Sequence, residues 1–416
     1  MPTYYAPAMT DAYLAYAAHS LRYHDLQLRN DADTSAAEGL EEEMSAQWSS
    51  LDDVQRKSLS GIGSDLIWIR SKAVLAPRGR KLEEIEESDK RMLLEATKSN
   101  DYHAVLHHLR ICAAAVSPEK LAFARGGAYR HAGLPRLGAI FHDFAAELDK
   151  NNGAIGVLAL RALDQLDPEM ATRRSRAILD SLFPYPPVVV VLCVGTLLER
   201  SRQNAPPTNT DYYANIILKA IDRLDLEPSS RETRAMVYQL AGSNFEVLGR
   251  ADDAIRWFEE GLKLSPDNDV MLVGAGALKY RADPDQAVKL LEKAIKLKSS
   301  LVYPYYLLAH FHLRRRDFGQ SLRYIQLASR FAEAEEVKAE LLAWSAICQE
   351  GMLPEDTRRS LFEKAKAMSQ SSSRIAKNLG SHGAGAKKGE FVDWEIDIES
   401  SRRLGWNRDF QKAMAQ

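Results

Sequence analysis

The sequence predicts an all-α, right-handed solenoid of helical hairpins, preceded by a helical N-terminal region and followed by a flexible C-terminal tail. Three observations carry this expectation. The chain has 416 residues, too many for one ordinary compact core. Small residues recur at steps of 33 and 34: Ala254, Ala287 and Ser321 in one series, Gly242, Gly276, Ala309 and Ala343 in another. And three segments, "DAIRWFEEGLKL", "QAVKLLEKAIKL" and "QSLRYIQLASRF", each place a small residue, a large apolar one four later, and a small one three beyond that. Two helices cross closely only where a side chain is small, and the large neighbour fills the groove left over. A single hairpin cannot bury its apolar face, so neighbours must stack.

The elements follow in order. Residues 1–80 read as a helical N-terminal region. Tyr13, Leu14, Ala17, Leu21 and Leu26 form the apolar stripe of a first helix, and "NDADTSAA" (30–37) makes a polar break. "EGLEEEMSAQW" and "LDDVQRKSLSGIGSDLIWIR" give two more helices, with Ser50 and Asp53 as a capping pair. "VLAPRGRK" is a linker. Residues 92–228 carry degenerate hairpins. The clearest has Gly126, Tyr129, the turn Gly133, then Gly138, Phe141 and Ala145. "PPVVVVLCVGTLL" (186–198) is too short to span a bilayer, which takes about 20 apolar residues, and reads as a buried helix. Residues 229–369 hold the regular repeats, and Gly249 marks the turn of the first. Residues 370–416 begin as "SQSSSRIAKNLGSHGAGAKKGE", too polar to offset the entropy of ordering. Trp394, Ile396, Ile398, Trp406 and Phe410 follow on that leash, placed to dock on the array or on a partner.

In the best repeat, Tyr238, Ala241, Gly242, Phe245, Ala254, Phe258, Gly261 and Pro266 fall where the tetratricopeptide repeat (TPR) has its signature residues. The chain resembles that family over about 92–369. Ala241 and Gly261 depart from its consensus, both small or apolar. The resemblance implies that first helices line a concave surface where non-signature positions bind an extended peptide or a partner helix. Carried onto this chain, those positions are Gln239, Ser243 and Glu246 in one repeat, and Tyr303, Tyr306, His310 and Arg314 in another. The second set forms one helical stripe. Its tyrosines either contact a partner or pack against the adjacent repeat. The lysine–asparagine clamp with which some relatives hold a C-terminal carboxylate is not visible. Val270, Val273 and Ala277 stand in its place, which weakens a chaperone co-factor role.

Other chemistry has weaker support. His103 and His107 stand i, i+4 with His108 adjacent, but "HAVLH" lacks the acidic residue of an HExxH site. No Gly-rich phosphate loop follows a strand, and no GxSxG elbow occurs. Cys112, Cys193 and Cys348 lie far apart and form no CxxC pair, as in a reducing compartment. "MPTYYAPAMT" lacks the basic and apolar regions of a secretory signal. Net charge is −2, which argues against nucleic acid and anionic membrane, and Arg314–Arg316 read as a solvated patch. The expectation is a non-catalytic, cytoplasmic scaffold or adaptor that binds another protein and needs no cofactor or metal. A helical-repeat surface for nucleic acid, and an enzyme or metal protein built on the helix at 103–108, are the alternatives.

Overall fold

In this computed structural model, described over residues 7–28, 34–71, 87–113, 116–204, 209–226, 229–368, 377–378, 394 and 396, helix ends are set by local side chains. Asp101, Asn152, Asp167, Ser230, Asn268, Asp283 and Asp317 each accept a hydrogen bond from the backbone N–H three residues on. Each satisfies a donor that the first helical turn leaves without a partner. The hairpin turns need a left-handed residue. Gly133 (φ 82°) and Gly249 (φ 75°) provide it. At the second, Arg250 N–H reaches back to Phe245 O at 2.9 Å and closes the helix end.

The chain folds as two units, Met1–Pro206 and Pro207–Gln416. The first holds α1 (Asp11–Leu28), α2 (Ser35–Ser49), α3 (Asp53–Ser71), α4 (Glu87–Lys98), α5 (Tyr102–Ile111), α6 (Pro118–His131), α7 (Pro135–Leu148), α8 (Gly153–Leu166), α9 (Pro168–Leu179) and α10 (Pro187–Asn204). The second holds α11 (Thr210–Leu226), α12 (Arg231–Val247), α13 (Ala251–Leu264), α14 (Asp269–Lys279), α15 (Pro284–Lys296), α16 (Val302–Arg314), α17 (Phe318–Ala328), α18 (Glu335–Cys348) and α19 (Glu355–Met368). No named strand occurs among the described residues; Glu350 and Leu353 form an isolated bridge.

In the first unit α1, α2 and α3 pack together, and α4 through α10 follow as neighbours in chain order. Tyr13, Leu59, Ile62 and Trp68 of the N-terminal helices share one core with Leu121, Tyr129 and Phe141. Two local expectations are corrected. The polar break at 30–37 is shorter, because α2 already starts at Ser35 and Ala37 is buried. Ser50 and Asp53 do not cap α3. Gln55 N–H donates to Asp52 Oδ1 at 2.7 Å, and Asp52 N–H donates to Gln55 Oε1 at 3.0 Å. A helix beginning at Asp53 takes the preceding residue as its cap, and a glutamine three on completes the box. Ser50 instead closes α2, its hydroxyl donating to Gln47 O. The proposed linker at 74–81 lies outside the described residues, as does nearly all of the tail, including Ile398, Trp406 and Phe410.

Small residues set the helix crossings. A Cβ on Gly138 would lie 2.7 Å from Gly126 O, so α6 and α7 meet backbone to backbone. Tyr129 stacks on Phe141 beside that crossing, with ring centroids 5.3 Å apart. His142 lies buried on the same side, against Gly126. Burial, aided by Arg130, lowers its pKa from the ordinary 6.5 to about 4. The fold therefore holds a neutral ring that the unfolded chain would protonate. Stability is full above about pH 6.5 and falls as the pH drops toward 4. A loss on the order of 2 kcal/mol is expected across that window. Denaturant titrations at pH 7 and pH 4.5, on the native chain and on His142→Phe, check this; equal acid losses in both would refute it.

In the second unit α12 to α19 form four hairpins stacked in chain order: α12 with α13, α14 with α15, α16 with α17, α18 with α19. The first helices also touch one another in sequence, α12 with α14, α14 with α16, and α16 with α18. This is an all-α solenoid of helical repeats. Phe258, fully buried, sits between two glycines; a Cβ on Gly242 or on Gly274 would lie 2.7 Å from its ring. Ala254, Ala287 and Ser321 are fully buried at the matching positions. Ser321 fits in place of alanine because its hydroxyl donates to Ala309 O at 2.9 Å.

Candidate peptide groove

The stripe predicted on α16 holds several buried polar contacts. Tyr303, Tyr306 and His310 are all buried there. Tyr306 donates from its hydroxyl to Glu340 Oε2 at 2.6 Å, and its ring lies 4.9 Å from that of Trp344. His310 Nδ1 and the Tyr280 hydroxyl are 2.8 Å apart, and His310 Nε2 lies 3.0 Å from the backbone carbonyl of Trp394. A carbonyl only accepts, so Nε2 carries a proton; in the neutral ring Nδ1 then accepts from Tyr280. Burial pushes the Tyr280 hydroxyl pKa up, with Arg314 pulling the other way. Tyr280 therefore stays protonated and able to donate.

The residue that fills this surface comes from the tail. Trp394 is buried, its indole N–H donating to Glu340 Oε1 at 3.0 Å and its ring edge-on to Trp344 at 6.2 Å. Ile396 is buried too, and its carbonyl accepts from Arg281 at 3.1 Å. Both join the core of the second unit. Thus α14 supplies Tyr280 at its C-terminal end, followed by Arg281; α16 supplies Tyr306 and His310; and α18 supplies Glu340 and Trp344. Three successive first helices hold one short segment by side-chain stacking and by its backbone carbonyls.

The other expected residues lie elsewhere. Gln239 is buried on α12, its Oε1 accepting from Asn268 Nδ2 at 2.8 Å across the hairpin stack. Ser243 and Glu246 are half-buried on the same helix. Arg314 is exposed at the end of α16. Reading one repeat alone misses Glu340 and Trp344. A signal existed: they stand 34 residues after Tyr306 and His310, one repeat step along.

The histidine helix α5 contributes Ala104, Val105, Leu106 and Leu109 to the core of the first unit. His108 is buried, and its ring meets His107 at 5.3 Å. Burial lowers the pKa of both His103 and His107. No group of three or more metal-ligating side chains occurs among the described residues. Cys112, Cys193 and Cys348 are buried and lie outside any disulfide, and burial raises the Cys193 pKa to about 12, away from nucleophilic use. No helix among the described residues is long and apolar enough to cross a membrane.

Hairpins in chain order, small residues at the crossings and a surface of first helices define a TPR-like helical-repeat protein. Solved structures of similar kind include a tetratricopeptide repeat protein from Parabacteroides merdae (15% identity, 62% of this chain and 98% of that one, TM-score 0.41). Another is the C-terminal part of a TPR repeat-containing protein from Cytophaga hutchinsonii (12% identity, 69% and 98%, TM-score 0.32). A third is the APC/C hetero-tetramer Cut9–Hcn1 (14% identity, 97% and 87%, TM-score 0.29). No family model and no curated protein matches the chain. The repeat assignment rests on the hairpin geometry.

Proposed function

We propose that this protein is a non-catalytic scaffold or adaptor that holds a segment of another protein against its first helices. One observation carries the reading: the α14–α16–α18 surface already grips a short stretch of chain through Glu340, His310 and Arg281. Two of the three contacts are to backbone carbonyls, which any peptide offers, and one selects an aromatic donor. Aromatic and arginine side chains at such a centre are the usual energetic anchors of an interface. Gln239, Ser243 and Glu246 on α12 extend the partner surface under this proposal, and Arg314 forms its rim. The buried cysteines, none in a disulfide, fit a cytoplasmic setting.

Affinity capture with chemical cross-linking, after nuclease digestion of the lysate, tests it. A protein should be retained and cross-linked to residues of α16 or α18. Tyr306→Ala combined with Arg314→Ala should cut retention roughly tenfold, the scale of losing one interface anchor. Retention that disappears with the nucleic acid, or that ignores the double substitution, would overturn it.

A further inference from the structure

Trp394 and Ile396 are two apart in sequence and both buried in the core of the second unit. The sequence around them alternates: Trp394, Ile396 and Ile398 are interleaved with Asp393, Glu395, Asp397 and Glu399. Arg281 and Arg314, both exposed, put positive charge at the rim of the same groove. The buried Glu340 carboxylate sits where an indole N–H reaches it, with Trp344 as the wall against which the indole packs. Buried apolar side chains, acids between them in the sequence and exposed arginines nearby make a complete recognition pattern.

We infer that the groove recognises a segment of alternating apolar and acidic residues centred on a tryptophan, and that the chain's own Trp394–Ile396 is a displaceable internal copy of that ligand. The partner's docking segment carries the same chemistry and enters by replacing it. This deepens the scaffold reading above and rests on it. Access is then set by how often the internal segment leaves, because apparent affinity falls by the fraction of molecules with an open groove. A tethered segment competes at an effective concentration set by its tether.

The probe is a fluorescein-labelled synthetic peptide of residues 391–400, titrated by fluorescence polarisation against the full chain. The native chain should bind it weakly. Trp394→Ala should bind it at least tenfold more tightly, the expected gain if the groove is open less than about a tenth of the time. The peptide carrying Trp394→Ala should not bind. Adding Arg281→Ala to the opened chain should weaken binding about threefold, since this exposed side chain holds a carbonyl of the ligand and is not part of the core. Ile396→Asp opens the groove by a second route should Trp394→Ala fold poorly. Equal affinity for native and opened chains, or undiminished binding of the tryptophan-less peptide, would overturn the inference. Two further results separate it from the scaffold reading. Protein capture that depends on Tyr306, with no peptide binding, sinks the inference and spares the scaffold. Peptide binding with no protein captured does the reverse.

Discussion

Replacing Phe258 by alanine is expected to destabilise the second unit by about 3–5 kcal/mol, the cost of emptying a large buried aromatic site. The ring is fully buried and is the wedge between α12 and α14, held by Gly242 on one side and Gly274 on the other. Glycines offer no side chain that could collapse into the gap, so the cavity should stay nearly full size. In a solenoid, stability is a sum of neighbour contacts, and the loss is local to that step of the stack. Amide hydrogen exchange should therefore speed up in α12, α13 and α14, with α18 and α19 little affected. A companion substitution identifies the cause. Gly274→Ala should destabilise the native chain, because its methyl would stand 2.7 Å from the ring. In the Phe258→Ala background it should be neutral or stabilising, because the methyl enters the cavity. Additive losses in the double variant would show that the ring and the glycine do not share a space.

Asp65→Asn is expected to cost the first unit a similar amount, about 3–5 kcal/mol, by a different route. Asp65 is buried on α3 and serves two cations. Arg110 of α5 donates to Oδ2 at 2.8 Å, and Arg125 of α6 reaches Oδ1 at 2.9 Å. The Tyr129 hydroxyl donates to Oδ2 as well, at 2.5 Å. Burial works against the charge on Arg110, but Tyr129 and Asp65 outweigh it and raise its pKa. Arg125 also lies over the Trp68 ring, 4.7 Å from its centroid. An asparagine keeps the shape and removes the negative charge, leaving two guanidinium groups without it in a dry site. Thermal unfolding followed by hydrogen exchange in α3, α5 and α6 measures the loss. Adding Arg125→Met should recover part of it, since a buried apolar side chain needs no counter-charge. No recovery would assign the damage to lost shape and not to uncompensated charge.

These two sites differ in how far they could be read beforehand. Phe258, Ala254 and Gly261 declare themselves by spacing, because 3.6 residues per turn puts i, i+4 and i+7 on one face. The 33- and 34-residue steps then repeat that face. The Asp65 cluster has no such signature: its partners lie 45, 60 and 64 residues away, on two other helices. The groove falls between. Tyr303, Tyr306 and His310 were legible as a stripe, and whether they met a partner or the next repeat was not. In the structure Tyr306 touches Glu340 and Trp344 of the next repeat, and His310 touches Trp394 of the chain's own tail.

The order of residues alone determined that this chain is helical, where most helices turn, and that it stacks as repeats, since periodicity, caps and small crossing residues act over a few turns. Tertiary structure decided which buried charges meet, and that a tail tryptophan packs against α16 and α18. Those contacts depend on bringing distant segments together, and the free energy of closing a loop leaves no local mark in the sequence.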